Sequence, residues 1–144
     1  MIKLIPLLLL SIILFACDTS KMSETPDSKF IGTFELKGRS MFDKMEITIK
    51  RENKNLIGRI TKVNNNKFVK LFCDSNDVWI SEIKRNSNFE FAITENKIGK
   101  ALFSLYDLST KNEYKCQFIN KTDFALCGKS ENPQNSELIY KKIK

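Results

Sequence analysis

The chain is expected to fold as an all-β antiparallel meander of about eight to ten strands that forms a closed or nearly closed barrel. Three observations predict it. From Phe30 onward the apolar residues come in short pieces, the pieces are cut by Asn, Asp, Ser and Gly every few residues, and several of them alternate apolar with polar positions. Strands this closely spaced leave no room for crossover helices, so neighbours in sequence should be neighbours in the sheet. Closure removes the exposed edges that promote aggregation, which favours a barrel; a β-sandwich is the alternative.

Ten segments carry the pattern, at 30–37, 44–51, 56–63, 67–73, 77–84, 88–95, 100–108, 112–119, 123–129 and 136–143. In the first, Phe34 and Leu36 oppose Glu35 and Lys37. In the second, Met45, Ile47 and Ile49 oppose Glu46, Thr48 and Lys50. In the sixth, Phe89, Phe91 and Ile93 oppose Glu90 and Thr94. Each of these strands should have one wet face. The fourth and seventh segments are apolar on both faces, as if something covers them from outside. Between segments, Asn53-Lys54-Asn55, Asn64-Asn65-Asn66 and Asp74-Ser75-Asn76-Asp77 supply residues that tolerate left-handed backbone or cap their own amides.

The first 20 residues follow a different logic. Leu4 to Ala16 is an apolar run of 13 residues, about 20 Å as a helix and too short for a hydrocarbon core about 30 Å thick. Lys3 precedes it and the small residue Ala16 ends it, the order of a secretory signal. The tetrad Leu14-Phe15-Ala16-Cys17 resembles the lipobox of bacterial lipoproteins. That resemblance implies cleavage before Cys17, acyl chains of the palmitate type on its sulfur, and a monomeric protein held at the membrane by that anchor. A plain signal peptide that happens to meet a cysteine is the alternative. The expected organisation is a signal at 1–16, a lipidated terminus with a polar tether at 17–29, and one barrel domain at 30–144. The expected location is the cell envelope, on the periplasmic side of either membrane or at the cell surface.

Gly32-Thr33-Phe34 is similar to the Gly-x-Trp opening of the lipocalin and calycin barrels, with Phe34 in the tryptophan's place. The resemblance implies a ligand-holding barrel, and the basic residue that packs across the family's tryptophan would here be Lys141 or Lys142. A glycine that merely accommodates tight packing is the other reading.

Three cysteines remain after Cys17. Cys116 and Cys127 flank the turn Asn120-Lys121-Thr122-Asp123, and a four-residue loop would set them opposite one another as a candidate disulfide. The same register places Phe118 and Phe124 on opposite faces, which conflicts with their apolar character. Cys73 is then either the alternative partner or a buried free thiol.

The chain has no histidine, which removes Ser-His and Cys-His nucleophile pairs, histidine zinc sites and the commonest general base. With five glycines it also has no Gly-rich phosphate loop. Glu35, Glu46 and Glu90 fall on the polar phase of their strands, where solvated charge is the ordinary expectation. No catalytic residue, metal or cofactor is therefore expected. Without residues 1–16 the chain has 23 basic and 17 acidic residues, a net +6; this favours anionic envelope surfaces, and nucleic acid is not an expected partner.

Two functions follow as expectations. One is a non-catalytic binding lipoprotein holding a small apolar, amphipathic or anionic ligand, with Phe34, Trp79, Phe89 and Phe91 as candidate lining residues. Ordinary core filling is the competing reading of those aromatics. The other is an inhibitor or immunity-type lipoprotein that blocks a toxin or lytic enzyme through protein contact.

Overall fold

The computed structural model describes residues 25–87, 89–128 and 131–144. The leader, the lipobox and Cys17 lie outside the described residues. Eight antiparallel strands close into a barrel in simple chain order: β1 (Gly32–Lys37), β2 (Glu46–Glu52), β3 (Asn55–Lys62), β4 (Val78–Arg85), β5 (Glu90–Asn96), β6 (Lys111–Phe118), β7 (Phe124–Cys127) and β8 (Ile139–Lys142). Closure comes from β8 pairing with β1, Leu36 opposite Tyr140 and Glu35 opposite Lys141. The alternation expected in β1 and β2 is realised, with Phe34, Leu36, Met45, Ile47 and Ile49 buried.

Two expected strands are helices instead. Segment 67–73 holds α2 (Lys67–Phe72) and segment 100–108 holds α3 (Lys100–Leu105); α1 is the single turn Asp27–Phe30. The local chemistry explains the change. Asn66 accepts from the amides of Phe68 and Val69 and so caps α2, while Gly99 precedes α3 with φ +69°. Neither helix lies in the barrel wall. One side of each faces the barrel mouth and the other faces solvent, which is why both read as apolar all round.

A meander of antiparallel strands places alternate connections at opposite ends. One end carries the tight β2–β3, β4–β5 and β6–β7 turns. The other carries the longer β1–β2, β3–β4, β5–β6 and β7–β8 connections, with α2, α3 and two 3-10 turns, Ser40–Phe42 and Pro133–Asn135. The tight-turn end is sealed by α1, whose Phe30 stands edge-on to Phe91 at 4.9 Å and packs on Phe118 at 5.3 Å. Asp27 pairs with both Arg51 and Arg85. Residues 25–29, expected in the tether, are thus seated on the barrel, with Thr25 buried.

The Gly-Thr-Phe opening has a physical reason in this chain. Gly32 has φ +142°, and a Cβ there would lie 2.4 Å from the Lys144 carbonyl oxygen. Lys142 Nζ sits 5.6 Å from the centre of the Phe34 ring and reaches the carbonyls of Ser28 and Lys29 at 3.4 Å. A basic residue therefore crosses the first-strand aromatic and ties down the sealing turn.

The Cys116–Cys127 bridge is not formed; the described cysteines are free. The β6–β7 loop is one residue longer than expected, closed by the Ile119 amide donating to the Asp123 carbonyl at 3.0 Å. Phe118 therefore opposes Phe124, and Cys116 opposes Leu126 rather than Cys127. That one-residue step turns the two thiols to opposite faces, buries Phe124 in the core and packs the half-buried Phe118 against it. Cys127 instead donates to the Glu131 carbonyl at 2.8 Å.

Candidate functional site

The tight-turn half of the barrel is filled. Phe30, Phe91, Phe118 and Phe124 form a connected aromatic cluster, and the Phe124 ring stacks on Tyr140 at 4.6 Å. The other half is open. A cavity of about 570 Å³ lies at the mouth, between the β1–β2 loop, α2, the start of the β5–β6 connection and β6. Its apolar wall includes Phe42, Val69, Phe72, Ile98, Phe103 and Leu138, and its polar wall includes Arg39, Glu95, Lys97 and Tyr114. The size matches ordinary small-molecule sites.

A chain of buried polar groups runs through the barrel beside this cavity. Trp79 Nε1 donates to the Tyr140 hydroxyl at 2.7 Å. Tyr140 donates in turn to Glu95 Oε1, and Arg39 Nη2 donates to Glu95 Oε2. The order is forced by chemistry: an indole N–H only donates, a guanidinium only donates and a carboxylate only accepts, so the hydroxyl passes its hydrogen to Glu95. The Arg39 guanidinium also lies 5.3 Å from the Tyr114 ring centre and 5.9 Å from that of Trp79. Its Nε is buried with no hydrogen-bond partner among the described residues.

The sequence folds locally to deliver these groups. Glu95 follows Phe91 and Ile93 on the inward phase of β5, so alternation alone points its carboxylate into the barrel. Arg39 arrives from a loop with left-handed backbone at Gly38, Ser40 and Lys44. That loop is pinned by Asn64 Nδ2, which donates to the carbonyls of Met41 and Asp43 at 2.7 and 2.8 Å. The Arg39 amide donates to Asp43 Oδ1 at 2.6 Å.

The electrostatics follow from burial and pairing. Burial opposes the Arg39 charge, but Glu95 and the oxygens of Tyr140 and Tyr114 outweigh it, so its pKa is raised. Burial, reinforced by the Glu95 carboxylate, pushes the Tyr140 phenol well above its usual range. Both groups keep their protons at neutral pH.

The aromatic residues expected to line a ligand site are scattered. Trp79 lines the cavity. Phe34 and Phe91 are buried in the aromatic core, and Phe89 is 64% exposed just outside β5. Arg39, Glu95 and Tyr140 were not among the expected site residues. For Glu95 a signal existed, a carboxylate in phase with Phe91 and Ile93; for Tyr140 it was an aromatic on the inward phase of the last strand. Arg39 sits in a loop, where periodicity gives no signal. Comparison with known proteins finds no matching family model, curated protein or solved structure.

Proposed function

We propose that this protein is a non-catalytic binding module that holds one small amphipathic molecule in the mouth of its barrel. The observation that carries the reading is the pairing of a roomy apolar cavity with a guanidinium beneath its wall. An apolar body fits against Phe42, Val69, Phe72 and Phe103, while an oxygen-bearing end is oriented toward Arg39 and Tyr114. Apolar burial supplies affinity, and the few polar groups fix direction. Because Glu95 already neutralises Arg39, and Lys97 also lines the cavity, the site tolerates a neutral or singly anionic head group. The absence of histidine from the sequence supports binding rather than turnover.

The envelope setting belongs to the same proposal. It rests on the leader and Cys17, which would hold the barrel beside the membrane through the segment that enters at its tight-turn end. Acyl mass on a Cys17 terminus in protein taken from its own membranes is the expected result; an unmodified or uncleaved terminus overturns the anchor.

Trp79 is the only tryptophan in the chain and it lines the cavity, so its emission reports occupancy directly. Titration with a long-chain fatty acid below its micellar concentration should give a saturable change at one molecule per chain. Filling the cavity with Val69→Phe and Ile98→Phe should abolish it. Emission that stays flat through the titration in the wild-type protein would overturn the proposal.

A further inference from the structure

We infer that the mouth end of the barrel docks on an anionic phospholipid bilayer through the tips of α2 and α3. Phe68, Leu71 and Phe72 from the first helix and Leu102, Leu105 and Tyr106 at the second are each more than half exposed, with Leu71 at 71% and Leu105 at 79%. Single exposed apolar residues are ordinary, but six large ones at one end of a small barrel form an interaction surface. The two helices meet at the mouth: Phe68 and Phe72 of the first and Phe103 of the second line the same cavity, and a Cβ at Gly99, at the entrance to α3, would lie 3.5 Å from the Phe72 ring.

The charge around the patch selects the occupant. Lys67, Lys70, Lys97 and Lys100 lie on or just before the two helices and outnumber the acidic residues that follow them, Asp74, Asp77 and Asp107. Lys67 Nζ stands 5.1 Å from the Phe68 ring centre and Lys97 Nζ stands 4.9 Å from that of Phe103. Apolar tips with ammonium groups beside them suit the boundary between acyl chains and anionic head groups, where lysine stems lie along apolar surface and their charges meet phosphate. A second copy of the chain fits worse, because face-to-face contact would bring two sets of four lysines together. The inference concerns the outside of the mouth and stands whether or not the cavity holds a ligand.

The test is amide hydrogen exchange on the full chain with and without added vesicles. With phosphatidylcholine vesicles containing phosphatidylglycerol, exchange in α2 and α3 should slow, while the turns around 53–54 and 119–123 at the opposite end stay unchanged. Pure phosphatidylcholine should give a smaller effect, and high salt should reverse the slowing. Leu71→Ser with Leu105→Ser should remove it, and an unchanged exchange pattern elsewhere would show that the variant is folded. Helices that exchange identically with and without phosphatidylglycerol vesicles, or slowing confined to residues 1–24, would overturn the inference. Slowing that depends on protein concentration without vesicles would also overturn it, in favour of self-association.

Discussion

Arg39 and Glu95 stand 56 residues apart in the chain and meet as an ion pair whose side chains are only 7% and 4% exposed. Such a pair is costly to break and cheap to replace, because removing one partner strands the other charge in a medium that cannot solvate it. Glu95→Gln should therefore lower stability by about 3–5 kcal/mol. Combining it with Arg39→Met should restore most of the loss, since no charge is then left unpaired and the carboxamide oxygen that replaces the carboxylate still accepts from Tyr140. Urea unfolding of the two single variants and the double variant measures the coupling. Additive losses would contradict the pairing.

Tyr140 ties stability to alkaline pH. Its phenol has a raised pKa in the folded state, so above the unfolded value of about 10 the unfolded chain releases a proton that the folded chain retains. Stability from this group is complete below that pH and falls as pH rises toward the folded value. The urea midpoint should drop through this range more steeply in wild type than in Tyr140→Phe. At neutral pH the variant should itself be less stable by about 1–3 kcal/mol, because Trp79 loses its buried acceptor.

The sealing turn is part of the fold. Phe30 is 1% exposed and contacts Phe91 and Phe118, so Phe30→Ala opens a cavity in the aromatic cluster. The expected cost is about 3–5 kcal/mol, readable as a lower thermal midpoint. A loss under about 1 kcal/mol would mean that the barrel closes without α1.

Cys116 should be the least reactive of the described thiols. Burial first, and the Glu95 carboxylate second, hold its pKa well above the ordinary value, and the thiolate is the reactive form. Brief alkylation of the native protein with iodoacetamide should leave Cys116 unmodified, while the same treatment in urea labels it fully. Peptide mass spectrometry distinguishes these outcomes.

The barrel was legible because strand alternation is a local property. Phe34-Glu35-Leu36 and Ile47-Thr48-Ile49 declare their faces without reference to the rest of the chain, and polar turn residues separate the strands. The helices were not legible from the apolar runs. KFVKLF and KALFSL are short enough to satisfy either period, and their state was decided by the cap at Asn66 and by their position across the barrel mouth rather than in its wall. The β6–β7 register was likewise ambiguous by one residue. Burial of Phe124 with Phe118 packed against it won over a pairing of Cys116 with Cys127.

What the sequence determined by itself is an all-β chain closed by neighbouring strands, since period-two patterning and short turns are written residue by residue. What only the tertiary structure decided is the site. Arg39, Trp79, Glu95 and Tyr140 come from one loop and three strands, and they converge because closure of the barrel brings β8 beside β1 and turns the inward phases of β4, β5 and β8 toward one interior. Each residue alone is an ordinary side chain. The low dielectric that makes them a single hydrogen-bonded unit exists only after the barrel has excluded water.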